Sequence, residues 1–216
     1  MKILFIGNSY TFFNDLPAMV DSLAADSGID VSVDSVTKGG RFLYESLGED
    51  EYALRLRQLI GENEYDVLVL QEQSHFAIKD YGKFEESIGA LKNLVNAKRT
   101  VLYATWGRKT GSSVLDDYGI TSRQMTDKLY DAYTRAAAKH GCEINPVGLC
   151  FAYIYENSPE IELYNKDKSH PSEIGSSLAA IAFFKRIFGR LPDSFSALSL
   201  DEDTLAKLLN AIEKFV

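Results

Sequence analysis

The sequence predicts an α/β fold, a three-layer doubly wound sandwich built on a five-stranded parallel sheet of order 2-1-3-4-5. Three observations lead there. Short apolar runs at Lys2–Ile6, Tyr65–Leu70 and Thr100–Ala104 read as strands buried in a sheet. Stretches with apolar residues at helical spacing separate the strands, so neighbours are joined by crossovers and must lie parallel. The 216 residues are 45% hydrophobic and 25% charged, which suffices for one sizeable core, and no composition shift divides them. Residues 1–216 are therefore expected to form one domain.

The elements follow in order. Lys2–Ile6 forms the first strand and stops at Gly7. Asn14 or Asp15 can cap a helix with an apolar face of Leu16, Met19 or Val20, Leu23 and Ala24; Pro17 fits its first turn and Gly28 ends it. Ile29–Thr37 alternates apolar and polar residues, as a strand at or near a sheet edge does, and ends at Gly39-Gly40. Arg41–Ile60 is expected to be helical in two pieces broken near Gly48, with Gly61 as the stop. Tyr65–Leu70 is the most continuously apolar run and so belongs at the sheet centre.

Phe84, Ile88, Leu91 and Val95 mark one face of the next helix. Thr100–Ala104 is the fourth strand and runs into Thr105-Trp106, followed by a polar loop, Gly107–Gly119, long enough to suggest function. Thr121 and Gln124 fit a capping box for a helix carrying Met125, Leu129, Tyr133 and Ala136, closed by Gly141. A short fifth strand at Cys142–Val147 precedes a helical segment, Leu149–Tyr155, broken at Ser158-Pro159. The loop Leu163–Pro171 leads into a helix with Ile174, Leu178, Ile181 and Phe188 inward, and Leu205, Leu208, Leu209 and Ile212 define a last amphipathic helix. Neither an internal repeat nor a low-complexity segment is present.

The net charge of -8 and pI near 5.0 exclude nucleic acid and anionic lipid as partners, since both are held by clustered Lys and Arg. No apolar stretch approaches the roughly 20 residues of a membrane span. The chain enters its first strand directly, without the apolar region and cleavage site of a leader, so the sequence as it stands implies a cytoplasmic protein; a secreted or periplasmic one stays open if a leader was removed. Cys142 and Cys150 read as free thiols, with neither a metal-ligand spacing nor a disulfide framework. Oligomeric state leaves no mark on the sequence.

In a doubly wound sheet the ligand site lies outside the carboxyl ends of the strands, near the switch point between strands one and three. The loops at that edge carry Ser9, Gly39-Gly40, Gln71 to Ser74, Thr105-Trp106 and, from the late loop, Asp167 and His170. A serine hydroxyl becomes a competent nucleophile when an imidazole takes its proton, and the imidazole needs an acceptor on its other nitrogen. Asp167 and His170, three residues apart on a turn, can supply both. Oxyanion donors would be the backbone N–H groups of Ser9 and Gly40 with a Gln side-chain amide as the third. Each of these residues taken alone is also ordinary turn chemistry; the expectation rests on their combination. That chemistry requires no metal or organic cofactor.

In these blocks the chain resembles the SGNH/GDSL-type serine hydrolases. Gly7-Asn8-Ser9 falls where their Gly-Asp-Ser block begins, Gly40 where the second-block glycine lies, and Asp167-x-x-His170 reproduces the closing motif. The blocks run from Gly7 to Pro171 and bracket most of the chain. Asn8 replaces the usual Asp, a residue that mainly supports its loop. The third block, Leu70-Gln71-Glu72-Gln73-Ser74, departs from Gly-x-Asn-Asp and is similar to the Gln-Gly-Glu-Ser block of the carbohydrate acetylesterases, sialate and xylan acetylesterases among them. The resemblance implies the flavodoxin-like SGNH hydrolase fold, a Ser-His-Asp triad of Ser9, His170 and Asp167, and an acyl-enzyme on Ser9. It places Gln71 as third oxyanion donor; Gln73, on the same side of an extended chain, competes with it. It points the substrate toward a small ester, an acetylated sugar.

Tyr10, Gln73, His75 and Trp106 are the candidate substrate contacts, and Tyr10, Phe12, Phe42, Phe76 and Trp106 could form an aromatic wall for a sugar or acyl group, or part of the core. His140, ahead of a helix-ending glycine, reads as structural. Three other functions compete: a lysophospholipase or thioesterase acting on longer acyl chains, a non-catalytic carbohydrate-binding protein on the same fold, and a flavin or phosphate binder using Asn8-Ser9-Tyr10-Thr11. The last leaves Asp167 and His170 without a role.

Overall fold

A computed structural model describes residues Met1–Val216. Strands β1 (Lys2–Gly7), β2 (Ser32–Thr37), β3 (Val67–Leu70), β4 (Arg99–Tyr103) and β5 (Glu143–Asn145) form one sheet of order β2-β1-β3-β4-β5 in which every pair is parallel. The period of two in a strand sends alternate residues to opposite faces. Ile3, Phe5, Val67, Val69, Val101 and Tyr103 point to one core, shared with α2 (Leu16–Asp26), α8 (Val147–Asn157), α9 (Glu173–Phe188) and α10 (Glu202–Phe215). Leu4, Ile6, Leu68, Leu70 and Leu102 point to the other, shared with α3 (Glu51–Glu62), α5 (Tyr81–Val95) and α7 (Ser122–His140). Burial on both faces explains why β1, β3 and β4 read as unbroken apolar runs. Each buried Val or Leu of these strands contributes on the order of 1.5–3 kcal/mol. β2, paired on one side only, is an edge strand, and Val36 is its one buried residue.

The expected elements are present, with shifted ends. The capping box of α7 forms as read: Thr121 Oγ1 accepts from Gln124 N at 3.1 Å, Gln124 Oε1 accepts from Thr121 N at 2.9 Å, and Gly141 closes the helix at φ 60°. Gly61 does not stop α3, which continues to Glu62; Asp50 starts it by accepting from Ala53 N at 2.9 Å. The first piece of Arg41–Ile60 is a 3-10 turn, Leu43–Leu47. The long polar loop contains a short helix, α6 (Ser113–Tyr118), while the segments α1 (Ser9–Phe12) and α4 (Phe76–Lys79) follow β1 and β3. Both cysteines are free; Cys150 is buried, and burial pushes its thiol up to about 12, while Cys142 is half-buried. No helix is long and apolar enough to cross a membrane.

Candidate active site

A cavity of about 360 Å³ opens at the carboxyl edge of the sheet. Four consecutive strand ends reach it: Asn8 and Ser9 after β1, Gly39 and Gly40 after β2, Gln73 and Ser74 after β3, and Arg108 beyond β4. Ser169 and His170 complete it from the loop before α9, with Tyr10, Phe12 and Phe13 as its aromatic part.

Ser9 sits where β1 breaks into α1. The break needs Gly7, because a Cβ there would come within 2.6 Å of Thr11 Oγ1 and 2.7 Å of Gln71 Oε1. Asn8 holds the turn, its Oδ1 accepting from Tyr10 N at 3.1 Å and its Nδ2 donating to Arg41 O at 2.9 Å across to the loop after β2. An amide reaches both partners at once, donating through Nδ2 and accepting through Oδ1.

Ser9 Oγ lies 2.8 Å from His170 Nε2, and His170 Nδ1 lies 2.5 Å from Asp167 Oδ2. Asp167 also organises its own loop: Oδ1 accepts from the backbone N–H of Ser169 and of His170, each at 3.0 Å. Burial pushes the Asp167 carboxyl up, but the bond from the His170 ring and the two backbone N–H groups outweigh it and hold the group below its ordinary range. A carboxylate that stays ionised can fix the imidazole tautomer and balance its charge. The His170 ring is clamped by Phe13, stacked on it at 4.3 Å between centroids, and by the edge of Tyr10 at 5.6 Å.

Two further contacts bind the nucleophile loop to the histidine loop. Asn14, at φ 54°, donates from Nδ2 to Pro171 O at 3.2 Å, Ser172 O at 3.0 Å and Ser176 Oγ at 2.9 Å. Tyr10 Oη and Ser169 Oγ are bonded at 2.9 Å. Asn14, read from sequence as a possible helix cap, ties the loops instead, and Asp15 caps α2.

The two glutamines separate. Gln71 is fully buried behind Ser9: its Oε1 accepts from Asn8 N and Thr11 Oγ1, both at 2.9 Å, and its Nε2 donates to Glu72 O. With its amide committed inside the protein it does not face the cavity, which corrects the expectation that it is an oxyanion donor. Gln73 is on the cavity wall. Trp106 is likewise removed from the expected substrate contacts, being fully buried between Phe151, at 3.7 Å, and Tyr10, at 4.9 Å, with its Nε1 donating to Ser169 O at 3.0 Å. It stiffens the wall from behind. His75 is also off the wall; its Nδ1 meets Ser74 Oγ at 3.2 Å and its ring stands edge-on to Tyr118. Phe42 and Phe76 pack on each other at 4.6 Å outside the cavity lining. Of the expected wall, Tyr10 and Phe12 line the cavity, joined by Phe13.

Glu72 and Arg108 also belong to the site, although nothing in the sequence singles them out. Arg108 enters the cavity from the start of the long loop after β4; its only signal was membership of that loop. Glu72 is buried, and its Oε1 accepts from Leu43 N at 3.1 Å and Gln73 N at 2.6 Å, joining the loop after β2 to the residue beside Ser74. Its Oε2 has no partner. Burial pushes this carboxyl from 4.5 to about 7, against the two backbone N–H bonds and with help from the charge of Glu45. Because the folded pKa is raised, the native state keeps a proton that the unfolded chain has lost between those values. Stability therefore falls as pH rises through that window and levels off above it. Glu72→Gln is expected to remove the slope, gaining on the wild type by up to about 3 kcal/mol between pH 5 and pH 7.5. Urea midpoints of both proteins at the two pH values check this; parallel profiles would refute it.

No protein-family model matches the sequence, and no curated protein matches it. Solved structures do. A candidate SGNH hydrolase from Slackia heliotrinireducens superposes with a TM-score of 0.76 at 29% identity, over 86% of this chain and 97% of the other. A DUF4886 family protein from Bacteroides uniformis gives a TM-score of 0.83 at 19% identity, over 99% and 93%. The fold is that of the SGNH hydrolases. An acetylxylan esterase from Geobacillus stearothermophilus shares it, with a TM-score of 0.65 at 16% identity over 93% and 97%. In this SGNH hydrolase fold the late loop before α9 approaches the end of β1, which is how residues 161 positions apart come within hydrogen-bond reach.

Proposed function

We propose that the protein is a serine esterase that cleaves a small ester, an O-acetyl group on a carbohydrate, through an acyl-enzyme on Ser9. The reading is carried by one observation, the chain of contacts from Ser9 Oγ to His170 Nε2 at 2.8 Å and from His170 Nδ1 to Asp167 Oδ2 at 2.5 Å. The esterases among the structural neighbours support it at the level of ester hydrolysis.

His170 Nε2 takes the Ser9 proton as Oγ attacks the acyl carbonyl, and the oxygen of the tetrahedral intermediate becomes an anion. The N–H groups of Ser9 and Gly40 and the side-chain amide of Gln73 donate to it; Gly40, at φ 72° and with no side chain, lets the oxygen come close to the backbone. Collapse breaks the ester C–O bond, and His170 returns the proton to the departing alcohol. Water, deprotonated by His170, then attacks the acyl-enzyme, and acetate leaves with Ser9 restored. A small acyl group and a hydroxyl-rich alcohol suit a cavity walled mostly by polar side chains and glycine.

An aryl ester series tests this. The acetate should be cleaved faster than the octanoate, and Gln73→Ala should lose about 10²–10³ in kcat on the acetate. Gln71→Ala should instead lower stability, since each buried group it leaves unpaired costs about 1–3 kcal/mol. Preference for the octanoate would move the substrate to longer acyl chains, and a wild type inert toward both esters would overturn the proposal.

A further inference from the structure

Arg108 is the one permanently charged side chain on the cavity wall, and no carboxylate answers it. Arg41, Arg99, Arg123, Arg135 and Arg190 each have a carboxylate partner; Arg55, Arg57 and Arg186 have no side-chain carboxylate either, but they lie off the cavity wall, where Arg108 stands. Arg108 is half-buried, which strips part of its hydration without replacing it by a carboxylate of the protein. Its guanidinium is nevertheless held in place. Nη2 donates to Ser74 Oγ at 2.8 Å, the group lies 5.9 Å from the Tyr10 ring centroid, and Nε is buried without an acceptor. That leaves Nη1 and the second hydrogen of Nη2 uncommitted at the end of the fork, where two parallel bonds to one oxyanion can form.

Lys166 and Lys168, on the turn of Asp167, line a separate depression together with Lys109 and Glu162, so Arg108 is the cation that the cavity itself presents.

We propose that Arg108 binds a compact oxyanion, a carboxylate or a phosphate, carried by the alcohol part of the ester, so that the substrate is an acylated acidic sugar. The proposal rests on the esterase reading of Ser9 and specifies its substrate. A fork fixed by Ser74 loses little freedom on binding, and Arg beside a planar oxyanion adds orientation as well as affinity.

Three substrates test it: mono-O-acetyl methyl glucuronide, mono-O-acetyl methyl glucoside and the 6-phosphate of the latter. The wild type should favour one charged ester over the neutral one by about 10- to 100-fold in kcat/KM. The favoured ester identifies the anion. Arg108→Gln should bring that ratio close to one, chiefly through KM on the charged ester, and Arg108→Lys should keep part of it. Equal kcat/KM for the three esters in the wild type, or a ratio unchanged in Arg108→Gln, would overturn the proposal while leaving the esterase reading intact. If none of the three is cleaved, the aryl ester series decides the esterase reading separately. Calorimetry with unacetylated methyl glucuronide, glucoside and glucoside 6-phosphate then decides on Arg108. Tighter binding of a charged sugar that Arg108→Gln abolishes upholds the anion site, and equal binding of all three refutes it.

Discussion

Ser9→Ala is expected to reduce acetate release from an aryl acetate by at least about 10⁴-fold. The Oγ removed is the atom 2.8 Å from His170 Nε2, and the other cavity hydroxyls are engaged elsewhere. Ser74 Oγ accepts from Arg108 Nη2 and meets His75 Nδ1, and Ser169 Oγ is bonded to Tyr10 Oη. Neither has His170 as partner, so neither inherits the base. The variant should stay folded, because the Asn8 side chain and Gln71, rather than the Ser9 hydroxyl, hold the turn. Circular dichroism and the urea midpoint check that arm. A phosphonate ester should label the wild type on Ser9 and leave the variant unlabelled. Equal hydrolysis by the two proteins would sink Ser9 as nucleophile and direct attention to Ser74 beside His75.

Asp167→Asn should lower kcat by about 10⁴ with a much smaller change in KM. The asparagine can keep the Oδ1 bonds to the N–H groups of Ser169 and His170, so the loop is retained. What it presents to His170 Nδ1 is an NH₂ donor in place of a carboxylate oxygen. The imidazole must then carry its proton on Nε2, where it cannot accept one from Ser9. Asp167→Ala removes the loop bonds as well, so it should lose stability in addition to activity. The sign of the pH effect follows from the lowered Asp167 pKa: its contribution to the fold is present at neutral pH and disappears as pH falls through that lowered value. The side chain is about half exposed, so this stabilising contribution is screened and small. Wild-type turnover by Asp167→Asn would show that the carboxylate does not orient the base.

The parts of the site legible in the sequence are those whose cause is local. Asp167 and His170 meet within one turn, so their spacing alone brings the rings and oxygens together. Ser9 is offered by a strand that ends on glycine, and the glycine is required by its immediate neighbours. Asn8 reads as a loop support, and its two side-chain bonds are of that kind.

The choice between Gln71 and Gln73 was not local. On an extended strand both point the same way, but the chain turns after β3, and what fills the space behind Ser9 then decides which amide is buried. Trp106 was ambiguous for a related reason: a large ring with one polar atom fits a core or a binding wall equally well, and only the positions of Phe151, Tyr10 and Ser169 assign it to the core. His75 stands beside the third block in sequence but turns away from the cavity toward Tyr118.

Hydrophobic periodicity and turn residues determined the five parallel strands and their alternation with helices, because strands buried on two faces and crossover helices leave those patterns in any chain that forms them. They also located the loops that carry Ser9, Gly40, Asp167 and His170. Only the tertiary structure decided that His170 Nε2 meets Ser9 across 161 residues, that Phe13 clamps the imidazole, and that Arg108 stands on the cavity wall with no carboxylate side chain paired to it. Those relations depend on how the helices pack on the sheet and bring separate loops to one edge. That packing is a sum of many weak long-range contacts, and no single stretch of sequence records it.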